Sequence, residues 1–154
     1  MGDGNRSFDI LPMKYAKLFD TAFRDVTAFG GFIFYGFVLL LSLGNLGLFI
    51  RLLIGLAVMV AVVVLIRSFY FKQRPKKQSY SNFLERIDAA SFPSLHTARA
   101  VFLALVFSPA NAILVSVMAV LVAYSRIYLK KHDWIDVLFG GLLGWGVYWV
   151  VGLI

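Results

Sequence analysis

The chain has 154 residues, a hydrophobic share of 60%, no cysteine and a formal net charge of +7. That share exceeds the roughly 45–50% of soluble domains, which argues against a water-soluble core and for one integral-membrane domain over residues 1–154. The lack of cysteine excludes disulfides and thiolate metal sites. The positive charge reads as loop lysines facing anionic lipid, so no nucleic-acid partner is expected.

The N-terminal MGDGNRSFDI has no signal-peptide apolar region and lacks the myristoylation pattern, since position 6 is Arg. Over residues 10–27, Leu11, Tyr15, Leu18, Ala22 and Val26 recur at helical spacing, with Lys14, Lys17, Asp20 and Arg24 elsewhere on the wheel. This predicts an amphipathic helix, either lying in the membrane interface or packed on the rest of the protein.

Val26–Ile50 is 25 residues without a charge, enough for one span, with Arg51 at its far end. Leu52–Phe71 is the returning second span, with Arg67 in its last turns, where a charge is tolerated only near the interface or in a polar cavity. Lys72–Phe92 is a polar connection in which Tyr80, Phe83, Leu84 and Ile87 suit either a short interfacial helix or a lid. Ser108-Pro109-Ala110-Asn111 is a turn signal. It divides the next apolar run into a third span over about 93–107 and a fourth over about 110–129, with Pro93 fitting the third span's first turn. Val137–Ile154 is a fifth, with Gly140, Gly141, Gly144 and Gly146 permitting close helix contact. Trp145 and Trp149 face lipid or a neighbouring helix. The expected fold is therefore all-α, a bundle of about five transmembrane spans.

Three polar blocks then meet at one end. They are Arg67 with Arg74-Pro75, Pro93-Ser94-Leu95-His96, and Ser125-Arg126 followed by His132 and Asp136. On a helix His132 and Asp136 would face the same way, four residues apart, with Asp133 as the alternative partner. A carboxylate on one ring nitrogen raises the basicity of the other, which prepares an imidazole to attack phosphorus. His96 is placed to protonate a leaving oxygen. Arg67, Arg74 and Arg126 offer planar forks for phosphate oxygens, and Ser94 with nearby N–H groups at a helix start suits another. Lys72, Lys76, Lys77, Lys130 and Lys131 read as headgroup contacts, with Lys72 also carried as an accessory phosphate ligand. Two histidines and a carboxylate could coordinate zinc, but three nearby arginines would repel it, so no metal and no cofactor are expected.

These blocks resemble the type 2 phosphatidic acid phosphatase superfamily, whose pattern is Lys-x6-Arg-Pro, Pro-Ser-Gly-His and Ser-Arg-x5-His-x3-Asp. The resemblance covers about residues 67–136, and the third block matches in full. It implies a short multi-pass, metal-independent lipid phosphatase. In it His132 would form a phosphohistidine, Asp136 would orient it and His96 would be the acid. Arg67, Arg74, Ser94, Leu95 and Arg126 would cradle the phosphate. The motif also occurs in soluble vanadium haloperoxidases, against which the spans argue. Two departures stand out: Arg67 replaces the pattern's lysine, and Leu95 replaces its glycine. The leucine is costly if the glycine uses φ > 0; in an ordinary helical turn its N–H survives and its side chain could wall the lipid entrance. The substrates implied are polyprenyl diphosphate, phosphatidic acid or a phosphatidylglycerophosphate-like lipid. The alternative is a non-catalytic lipid-phosphate binder or transporter. Placement in a prokaryotic plasma membrane is expected, and the basic excess at the site's end predicts that this end faces the cytoplasm.

Overall fold

The computed structural model describes residues 13–76 and 78–153. Readings that fall on the first 12 residues, on Lys77 and on Ile154 lie outside them. The elements are α1 (Met13–Ala28), α2 (Phe32–Leu41) with a 3-10 turn at Ser42–Gly44, α3 (Leu46–Phe69), α4 (Phe83–Ala89), α5 (Leu95–Tyr128) and α6 (Trp134–Gly152). The fold is all-α, and α3 and α6 are each long and apolar enough to cross a membrane, as is α5 when its two arms are counted together. Side chains such as Ile33, Leu65 and Ile113 stand exposed on the outside of the bundle, as lipid-facing residues must.

Helix α5 is not one rod. A straight helix would hold His96 and Val122 about 39 Å apart at 1.5 Å per residue. Yet a Cβ built on Gly30 would lie 2.8 Å from Val122 Cγ1 and 2.9 Å from the His96 carbonyl oxygen. The chain turns back at Asn111, whose φ of −163° and ψ of 88° are extended. The two arms, 95–110 and 112–128, lie antiparallel, with Ala100 packed against Ala119 and Val122. The local cause is legible. Pro109 supplies no N–H two residues before the break, and the Asn111 side chain accepts from Leu114 N at 3.0 Å, capping the second arm. The expected segments of about 93–107 and 110–129 correspond to these arms, each shorter than the roughly 20 residues that cross a bilayer core.

The expected first span is corrected. Residues 26–50 hold the end of α1, all of α2 and the start of α3, and the α1–α2 pair is bent by 44°. The absence of charge did not reveal the breakers. Gly30 sits where the chain must pass against α5, and Asn45 accepts from Leu48 N at 3.0 Å to begin a new helix. Arg51 consequently lies inside α3 instead of between two spans. Its guanidinium stacks over the Tyr148 ring at 4.7 Å, beside the last turn of α6, where a cation suits the helix dipole.

The N-terminal helix divides between the two readings: Tyr15 and Leu18 of its apolar stripe stand exposed, and its C-terminal half packs on the bundle. Phe23 meets Tyr128 at 4.3 Å and Tyr124 at 5.5 Å between ring centroids, and Val26 joins the Ala100 cluster. The polar connection forms a short helix, α4, capped by Asn82, with Phe83 and Leu84 exposed. Pro93 precedes the N-cap Ser94 and so lies outside α5, not in its first turn. Trp145 and Trp149 are both more than half exposed and face outward.

Two glycines set how α6 meets the first arm of α5. A Cβ on Gly140 would run into the Ser94 carbonyl oxygen, and one on Gly144 into the Ala98 carbonyl oxygen. The other two expected contact glycines are not used this way: Gly141 has only ordinary contact and Gly146 has open space. The close approach at Gly140 lets Ser94 N donate to the Asp136 carbonyl at 2.9 Å, which registers the second and third blocks. Tyr35, Leu52, Met59, Phe102 and Val147 fill the core beyond them.

Candidate active site

The sites of the three blocks converge at one end of the bundle, where α3 and the second arm of α5 finish and the first arm and α6 begin. Asp133, predicted as a rival partner for His132, is instead the N-cap of α6. Its carboxylate accepts from Asp136 N at 3.0 Å while Asp136 Oδ2 accepts from Asp133 N at 3.2 Å. This reciprocal capping box fixes the Asp136 side chain. His132 lies just before that cap, so it is not on the helix as expected. It still faces Asp136, with Nδ1 3.5 Å from Oδ2. That separation exceeds a hydrogen bond, and Nδ1 has no other partner among the described residues. Such contacts often tighten only when substrate is bound. Both side chains are buried, His132 at 2% exposure and Asp136 at 0%.

Lys72 is displaced from its predicted role. Its Nζ lies 2.7 Å from Asp136 Oδ1 and 2.6 Å from Asp133 Oδ2. Burial works against the Lys72 charge, but the bonds to the two aspartates outweigh it and raise its pKa. Lys72 therefore holds the carboxylates, and Asp136 is left with Oδ2 toward His132. For His132 itself, burial is the main cause that pushes the pKa down, to about 4. The Asp136 contact opposes this, while the charges of Arg126 and Arg74 add to it.

The arginines divide. The Arg67 guanidinium is turned to backbone, donating to the carbonyls of Phe92 (3.3 Å), Ile87 (3.1 Å) and Pro93 (2.9 Å). It clamps the segment that leads into Ser94, a framework role beside its expected place in the cradle. Arg74 donates to Gln78 Oε1 at 2.7 Å and to the Asp88 carbonyl, while its buried Nε has no partner. Burial lowers the Arg74 pKa, and Asp88 and Asp136 oppose that shift. Arg126 donates to Thr27 Oγ1 at 2.9 Å, and its buried Nε is likewise without a partner. Both free Nε–H groups belong to cations whose charge reaches His132.

Ser94 caps α5 and Leu95 begins it. The first intrahelical bond runs from Ala98 N to the Ser94 carbonyl, and Thr97 N and Oγ1 turn to Ser94 Oγ at 3.5 and 3.0 Å. The N–H groups of Leu95 and His96 are those a helix start leaves for a ligand. Leu95 is the first residue of the helix, and Lys130 is the one non-glycine residue with positive φ among those described. Leucine in place of glycine therefore costs no backbone strain here. Its side chain packs against the Tyr35–Phe102 core instead of walling an entrance.

Two supports were not read from sequence. Lys130, at φ 54°, closes the turn after α5, and its carbonyl accepts from Lys76 N at 2.9 Å. Ser91 N donates to the Lys72 carbonyl at 2.8 Å beside a Gln73–Ala90 bridge. Together they tie the first block to the other two. A groove of about 980 Å³ opens between α1 and the end of the second arm, with Phe19, Phe23 and Tyr124 on its apolar side, Lys76 and Lys131 on its polar side and Arg126 in its wall. Sequence reasoning also passed over Arg99, a lone cation one turn beyond His96; its place in an apolar span was the available signal.

A profile of the PAP2 superfamily matches residues 48–154, which contain all three blocks. Among solved structures, the chain is similar to the crystal structure of Aquifex aeolicus LpxE. The two share 24% sequence identity over 89% of this chain and 87% of that one, with a TM-score of 0.72. At that identity the likeness speaks for the fold.

Proposed function

The chain belongs to the PAP2 superfamily, and from its site we propose that it is a metal-independent lipid phosphatase working through a phosphohistidine on His132. The observation that carries this reading is the buried His132–Asp136 pair, with Nδ1 turned to the carboxylate at 3.5 Å. That orientation leaves Nε2 as the attacking atom. The unengaged Nε–H groups of Arg74 and Arg126 and the N-terminus of α5 supply donors for the phosphoryl oxygens, whose charge grows at the transition state. Nε2 of His132 forms the bond to phosphorus, and the bond to the leaving oxygen breaks as His96 gives that oxygen its proton. His96 then takes a proton from water, which attacks the phosphohistidine and releases inorganic phosphate.

The guanidinium groups supply the positive charge that a metal ion gives in other phosphatases. The groove beside Arg126 suits an amphiphile, with aromatic side chains for a tail and lysines for an anionic head. A polyprenyl diphosphate, phosphatidic acid or phosphatidylglycerophosphate-like lipid has that form. A binder or transporter would need the arginines but not a buried imidazole facing a carboxylate that a lysine and a capping box hold in place.

The test is phosphate release in detergent in excess EDTA, with rapid quenching to trap phosphate on the protein. Acid-labile protein phosphate is expected in the wild type and absent from His132→Ala. His96→Ala should slow turnover by about 10²–10⁴-fold, most for leaving groups of high pKa. Phosphate trapped on His132→Ala, or activity that needs added Mg²⁺, would sink the reading.

A further inference from the structure

Arg99 is the largest fully buried side chain among the described residues, with 1% of its surface exposed. Its Nε and Nη1 have no hydrogen-bond partner among the described residues, and none of the ion pairs found there involves it. The guanidinium carbon lies 3.9 Å from the centre of the Phe32 ring. The nearby Tyr35 hydroxyl is committed to the Leu52 carbonyl at 2.8 Å. An aromatic face offsets only part of what burying a cation costs. A guanidinium held this way is waiting for an anion.

The position says which anion. Arg99 is three residues past His96 on the first arm of α5, so the two share a helix face, and its charge reaches both His96 and Arg126. In-line displacement puts the attacking His132 on one side of phosphorus and the leaving oxygen, with His96, on the other. Arg99 lies beyond His96 on the leaving side, toward the middle of the apolar span. Three residues of helix advance about 4.5 Å, which sets Arg99 one turn deeper than His96 along the span.

We infer that Arg99 forms a subsite for a second phosphate of the substrate, the inner phosphate of a lipid diphosphate whose terminal phosphate is the one removed. This rests on the proposed phosphatase reading and on His96 serving the leaving oxygen. His132 Nε2 bonds to the terminal phosphorus and the bond to the bridging oxygen breaks. That oxygen keeps the electron pair, takes the His96 proton and departs as part of a lipid monophosphate, whose charge Arg99 holds. The order of groups along α5 then follows the two phosphates: the terminal one at the polar end and the inner one a turn deeper.

The experiment compares an isoprenyl diphosphate with the isoprenyl monophosphate of the same chain length, using wild type, Arg99→Gln and Arg99→Lys in detergent. For the diphosphate, Arg99→Gln should lower kcat/KM by roughly 10- to 100-fold, the scale of a lost charge-assisted hydrogen-bond pair. The monophosphate should change by less than about threefold, and Arg99→Lys should recover part of the diphosphate loss. An equal loss on both substrates, or a wild type that prefers the monophosphate, overturns the subsite. Should Arg99→Gln fail to fold, binding to wild type decides the matter. Methylene diphosphonate should raise its melting temperature at concentrations at least about tenfold lower than methylphosphonate, and equal potency counts against Arg99. This binding readout stands even if neither lipid is hydrolysed, which would defeat the phosphatase reading instead.

Discussion

At the scale of single residues, His132 has a titration that can be checked. Its folded pKa is pushed from 6.5 down to about 4, chiefly by burial. Between those values the unfolded chain binds the extra proton and the folded one does not. Stability is therefore full above about pH 6.5 and falls as the pH drops toward 4. The same shift keeps the imidazole neutral, and so nucleophilic, through mildly acidic conditions. The acid limb of kcat/KM, which reports the free enzyme, is expected well below 6.5, and a limb at 6.5 or above would contradict the buried, neutral nucleophile. Arg67 gives a second prediction. Three carbonyls bind its fork, and a lysine at this position, the superfamily's residue, gathers its donors at one point and does not reproduce that planar spread. Arg67→Lys should lower the melting temperature and kcat through a looser 87–93 segment and leave KM nearly unchanged. A rise in KM alone would return Arg67 to the phosphate cradle.

At the scale of helices, close approach of backbones decides the site's register. Gly144 faces the Ala98 carbonyl and Gly140 the Ser94 carbonyl without room for a methyl group. Gly144→Ala should therefore destabilise the protein by about 1–3 kcal/mol as an overpacking change. It should also reduce kcat, because α6 carries Asp136 and α5 carries His96. Gly146→Ala, with open space at its Cβ, is the control and should be neutral in thermal unfolding. Sequence reading saw that α6 was glycine-rich but could not tell which glycines point at α5, because helix rotation is fixed by packing. Nor could spacing say what a polar group faces. Asp133 became a cap, Lys72 an anchor for two carboxylates and Arg67 a backbone clamp, since each depends on long-range contacts. The ends of helices were better marked: Pro109 and Asn111 announced the hairpin, whereas Gly30, Gly31 and Asn45 broke an apolar run that charge counting took as continuous. The convergence of His96, Arg126, His132 and Asp136 was legible because each block closes or opens an apolar run.

At the scale of the whole molecule, the distribution of charge makes a statement about direction. Among the described residues, Arg51 is the one Lys or Arg at the end away from the site, lodged beside Tyr148 and Gly152. The rest, apart from Arg99 one turn inside, gather where the blocks meet. Lysine and arginine in short connections hold their end of a membrane protein in the cytoplasm, and Arg51 is further discounted because it stacks on an aromatic ring within the bundle. The site end is therefore expected to face the cytoplasm. Arg67, Arg74 and Arg126 do not count in this, since their guanidiniums serve the site or its framework. The lysines Lys76, Lys130 and Lys131 do, together with the basic residues of α1. The chain has no cysteine of its own, so single cysteines at Ser79, in the site-side connection, and at Leu153, at the opposite end, can be probed in intact cells with an impermeant thiol reagent. Labelling at 153 with protection at 79 is the expected pattern. The reverse pattern would place the site on the outer face, and would mean that the basic cluster is kept for an anionic substrate and not for orientation.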